Sequence, residues 1–123
     1  MSKNRPIAWL DTPEEHDYPA ALSYLTITFR PSAAKKVVKR LRASPVTGFK
    51  AKDIFRASGL SLLGVSNAHV EKDRRKIRAG TRLSPLLLVR EPDLAKVIVA
   101  DGYHRLCAVY DFDEDALIPC KIA

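Results

Sequence analysis

Residues 96–105 constrain this chain most. Lys96-Val97-Ile98-Val99-Ala100 is an aliphatic, β-branched run. It ends at Asp101-Gly102, and Tyr103-His104-Arg105 then open a segment with helical spacing. A β-branched run bounded by a glycine reads as a strand, and the change of period after it reads as a helix. A strand that turns into a helix within one residue needs a glycine at the corner and leaves the first helical amides without internal partners. Those amides, at the positive end of the helix dipole, form a ready anion site. His104 and Arg105 lie in that first turn, where the dipole disfavours cations. A bound phosphate would resolve the conflict, with Arg105 as a bidentate grip. Pairing of Arg105 with Asp101 or Asp111 would resolve it equally.

The rest of the chain is punctuated by turn and cap residues. Residues 17–29 have helical spacing with Asp17 as cap and Leu22, Leu25 and Phe29 on one face. Ser32 is set to cap a helix over 32–43, with Ala34, Val37, Val38 and Leu41 at i, i+3, i+4 and i+7. A short helix over 51–58 ends at Gly59, and one capped by Asn67 runs to Ala79 and closes at Gly80. Leu86–Arg90 and Lys96–Ala100 read as two strands buried on both faces. Residues 103–112 read as a helix with Leu106, Val109 and Tyr110 inward. Ile118–Ile122 reads as a closing strand, which Pro119 should place at a sheet edge. Trp9 and Tyr24 are expected in the core. The fold class is α+β, with a small mixed sheet, packed helices and extra N-terminal helices. A length of 123 residues suits one domain over 1–123, with a helical part over 1–60 and a core over 61–123.

The net charge of +7 hides an uneven distribution. Residues 30–82 carry fifteen basic and three acidic side chains, a local excess of +12, against −2 before them and −3 after. Such a segment attracts phosphates, on a nucleotide or on nucleic acid, or serves as a solvated face. No apolar run reaches the roughly 18 residues of a membrane helix, and residues 1–17 lack an apolar leader core. With two cysteines, Cys107 and Cys120, and no disulfide framework, a cytoplasmic home is expected. Histidines at 16, 69 and 104 lack zinc spacing, so no metal ligand set is expected.

The C-terminal half resembles the ParB N-terminal/sulfiredoxin-like superfamily. Asn67-Ala68-His69-Val70-Glu71 opens a helix, Pro85-Leu86-Leu87-Leu88-Val89 is a Pro-led strand, Asp101-Gly102-Tyr103-His104-Arg105 is the turn, and Ile118-Pro119-Cys120-Lys121-Ile122 closes. The resemblance implies that Gly102, Tyr103, His104 and Arg105 hold the phosphates of a nucleotide such as ATP or CTP, with Mg²⁺. The helix matching the one from Asn67 contributes further ligands in sulfiredoxins. His69, Lys72 and Lys76, at i, i+3 and i+7, share a face and would wall the same phosphates, or equally form an exposed basic helix face. Asp101 is the candidate catalytic residue, as general base or Mg²⁺ holder, or else a turn cap. The expected function is nucleotide binding, in a phosphotransferase or nucleotide hydrolase. The alternative is a nucleic-acid module that binds DNA or RNA through residues 30–82. Two departures stand out. Tyr103 occupies the position of the sulfiredoxin nucleophilic cysteine, so sulfinic acid reduction is not expected. Partition proteins carry a DNA-reading domain and a dimerisation segment after this core, and chromosome segregation in their manner is not expected of this chain.

Overall fold

A computed structural model describes residues 6–64 and 66–123. Residues 1–5, which form part of the leader reading, lie outside them. Among the described residues the fold is α+β: five α-helices and a four-stranded mixed sheet. In chain order the elements are α1 (Asp17–Leu25), α2 (Pro31–Ala43), β1 (Thr47–Lys50), α3 (Ala51–Ser58), α4 (Ala68–Ala79), β2 (Leu86–Glu91), β3 (Lys96–Asp101), α5 (Tyr103–Phe112) and β4 (Leu117–Ile122). The sheet order is β1-β4-β2-β3. β1 pairs antiparallel with β4, β4 parallel with β2, and β2 antiparallel with β3.

The apolar run Leu86-Leu87-Leu88-Val89 dictates the layering. A strand with no polar face must be covered on both sides. Leu86 and Leu88 join the core formed with α3, α4 and α5, while Leu87 and Val89 join the core formed with α1 and α2. All four are at most 3% exposed. Burying each is worth about 1.5–3 kcal/mol relative to leaving it in water.

The helices follow their local signals, with corrections. Asn67 caps α4 by accepting from the amides of His69 and Val70, and Gly59 and Gly80 close α3 and α4 in the left-handed region. The α1 helix stops at Leu25 rather than continuing to residue 29. The Thr26-Ile27-Thr28 run explains this, since β-branched side chains crowd a helix. Asp17 lies inside its first turn, after His16 at the cap position. In α2, Pro31 takes the first turn and Arg30 the cap position, so Ser32 caps nothing.

Two placements differ in the sheet. β4 is internal rather than an edge. Pro119 is tolerated because β2 pairs with β4 only from Cys120 onward, so at Pro119 the strand has a neighbour on one side only. The edge beside β4 is β1, a four-residue strand absent from the pattern reading because it is short, mostly exposed and interrupted by Gly48. The other edge is β3, whose Lys96 is exposed and Val97 and Ile98 half-buried rather than buried on both faces. Trp9 is half-buried and its backbone bridges to Leu83, whereas Tyr24 is 49% exposed rather than in the core. Among the described residues no helix is long and apolar enough to cross a membrane.

Candidate functional site

β3 runs out at Asp101, and Gly102 turns the chain into α5 at φ 106°, ψ 17°. A side chain here would be strained, and a Cβ would come within 2.8 Å of Leu86 Cγ and 2.9 Å of an Arg105 Nη. No side chain caps α5. The first intrahelical bond is Leu106 N–H to the Gly102 carbonyl, and no described group accepts from the amides of residues 103–105. Residues 102–105 line a polar cavity of about 190 Å³.

That cavity brings together every site residue expected from the sequence. Asp101, Gly102, Tyr103, His104 and Arg105 line one wall, and His69, Lys72 and Lys76 of α4 line the other. The His69 and His104 rings lie 4.9 Å apart between centroids. The charges on α4 are sorted. Arg74 pairs with Asp111, and Arg75 and Arg78 pair with Glu71, on the helix surface. Lys72 and Lys76, which face the cavity, meet no carboxylate within ion-pair distance among the described residues.

Arg105 is engaged from below. One Nη lies 2.9 Å from Asp101 Oδ2 and 3.8 Å from Asp17 Oδ2. Of the two pairings the spacing allowed, Asp101 is therefore the one formed, and Asp111 takes Arg74 instead. Asp17 is 4% exposed and accepts from the Ser84 hydroxyl, which in turn accepts from the Glu14 amide at 3.1 Å. Exposed His16 lies 3.3 Å from the other Asp17 oxygen. Arg105 Nε is buried and makes no hydrogen bond. Burial pushes the Asp101 carboxyl above the ordinary aspartate range. The Arg105 charge opposes that rise, and the neighbouring Asp17 charge adds to it. Ser84 beside Asp17, and Asp73, a buried acid lining the cavity, are the site residues that spacing did not reveal.

The Tyr103 hydroxyl donates to the Ser61 carbonyl, which ties the ring to the segment before α4. What Tyr103 offers the cavity is therefore chiefly its place at the helix start. Cys107, one turn on, is buried in the core, and burial pushes its thiol up. Cys120 is pushed up to about 12 by its burial. Neither has the exposed, acidic character of a nucleophilic thiol.

The basic block of residues 30–82 is divided. Lys35, Lys36, Lys39 and Arg40 are exposed on α2, on one face of the sheet, while α4 packs on the other. A nucleic-acid surface would therefore rest on α2 without the cavity. Among the described residues no group of three or more His, Cys, Asp or Glu side chains is arranged to hold a metal ion. No family model matches the chain, and no curated protein or solved structure matches it.

Proposed function

We propose that the cavity between α4 and the start of α5 binds the phosphate of a nucleotide, in a protein built on the ParB/sulfiredoxin-like plan. The carrying observation is the convergence of two unpaired lysines, Lys72 and Lys76, and two imidazoles, His69 and His104, on uncapped amides at a helix N-terminus. The two ammonium groups and the positive end of the helix favour an anion placed beside them. The other cations of α4 have carboxylate partners, so the lysines are the exception in their own helix. Arg105, tied to Asp101 and Asp17, has its charge offset by those carboxylates and offers the cavity no free fork. The reading extends to phosphoryl transfer or nucleotide hydrolysis, with Asp101 as proton acceptor and Mg²⁺ entering with the nucleotide. A carboxylate raised by burial is better suited to that task than an ordinary one.

Calorimetric titration with ATP, ADP and CTP, with and without Mg²⁺, tests the reading. Wild type should bind at least one of them at micromolar to millimolar concentration. The double variant Lys72→Ala/Lys76→Ala should bind about tenfold or more weakly, from roughly 1 kcal/mol per exposed charge-assisted contact. No heat of binding in wild type at millimolar nucleotide would remove the proposal.

A further inference from the structure

The phosphate reading leaves Asp73 without a role. It lies on α4 between Lys72 and Lys76, lines the same cavity and is only 9% exposed. Among the described residues it has neither a hydrogen bond nor an ion pair. Arg105 Nε is the one fully buried side-chain polar atom without a hydrogen bond among the described residues, so the Asp73 oxygens keep contact with the open cavity, while the other buried positions of α4, Val70 and Ile77, are apolar. Beside a phosphate, a carboxylate repels. Since an ionised carboxylate only accepts hydrogen bonds, its counterpart in such a cavity is a donor. The cavity opens to solvent, so the atoms next to a bound phosphate lie where Asp73 can reach them.

We infer that Asp73 makes the site select a phosphate ester bearing a hydroxyl close to the phosphate, as in a polyol phosphate or the ribose phosphate of a nucleotide, over inorganic phosphate. The inference rests on the phosphate-binding reading above and adds the ligand's second recognition element. Asp73 accepts from the ester's hydroxyl, while Lys72, Lys76 and the α5 amides hold the phosphate oxygens.

The test is a calorimetric comparison of glycerol 3-phosphate, propyl phosphate, AMP and inorganic phosphate. It uses wild type, Asp73→Asn and Asp73→Leu, in EDTA to remove bridging metal. Wild type should bind glycerol 3-phosphate about fivefold or more tightly than propyl phosphate, which has the same carbon count and no hydroxyl. AMP binding at least as tightly as glycerol 3-phosphate would identify the ribose as the source, and the reverse order would identify a polyol. The preference should fall in Asp73→Asn and vanish in Asp73→Leu, while inorganic phosphate binds both variants at least as well as wild type. Asp73→Asn is close in shape, so it keeps the test open should Asp73→Leu fail to fold. Equal affinity of wild type for the two esters, or a preference unchanged in both variants, overturns the role of Asp73 and leaves the phosphate site standing. If wild type binds none of the four, nor any nucleotide, the phosphate site itself falls and takes this inference with it.

Discussion

Replacing Gly102 by alanine should be among the most damaging single-methyl changes in this chain. Two costs add. At φ 106° an L-residue is held in a left-handed conformation, worth about 1–2 kcal/mol. The new Cβ would also sit 2.8 Å from Leu86 Cγ and 2.9 Å from an Arg105 Nη. Leu86 is fully buried between strand and helices, and Arg105 can withdraw only by giving up Asp101, so neither can yield freely. Overpacking of this kind adds about 1–3 kcal/mol. The total, about 2–5 kcal/mol, corresponds to a fall in Tm of roughly 6–25 °C for a chain of this size. Gly80 supplies the control. Its φ is 74°, yet a Cβ there meets nothing within 4 Å, so Gly80→Ala should show the conformational cost alone, about 1–2 kcal/mol. Urea and thermal unfolding of both variants, followed by circular dichroism, give the comparison. If Gly102→Ala is no less stable than Gly80→Ala, the close approach of Leu86 and Arg105 to the turn is refuted.

Two further outcomes follow from the buried groups. Asp101 has its carboxyl raised above the ordinary aspartate value, chiefly by burial, so the folded chain holds that proton more tightly than the unfolded chain. Its ionised form then costs stability at neutral pH, and the cost is relieved as pH falls through the raised value toward about 3.9. The Tm of wild type minus that of Asp101→Asn should therefore grow between pH 7 and pH 4.5, and a shrinking difference would contradict the assignment. Cys107 and Cys120 are free, fully buried and raised in pKa, Cys120 to about 12. Iodoacetamide at pH 8 should modify them far more slowly in the folded chain than in urea, and rapid stoichiometric labelling of the folded chain would overturn their placement.

The turn and both walls of the cavity were legible before any coordinates because their signals are local. An aliphatic run ending in Asp101-Gly102 can continue only by a sharp turn, and helical spacing resumes at the next residue. Asn67 and Gly80 bracket α4 by cap chemistry that operates within three residues, and the shared face of His69, Lys72 and Lys76 follows from helical period alone. That these two faces meet was an expectation from resemblance, and the packing of α4 on α5 brings them together.

The remaining features depend on partners far along the chain. Asp17 looks like an ordinary helix-start acid until Ser84, 67 residues away, and Arg105 close around it. Asp73, flanked by cations, reads as one more solvated helix charge, and only the packing that buries it shows that it lacks a partner. Pro119 in isolation signals an edge, yet β1, too short and exposed to announce itself, lies outside β4. Hydrophobic period, caps and backbone-permissive glycines act over one or two turns of chain, so the order of residues alone settled the helices, the main strands and the anion-ready corner. Strand order and burial are set by which distant surfaces exclude water from one another, so only the folded arrangement decided the carboxylates behind Arg105 and the unpaired acid among the lysines.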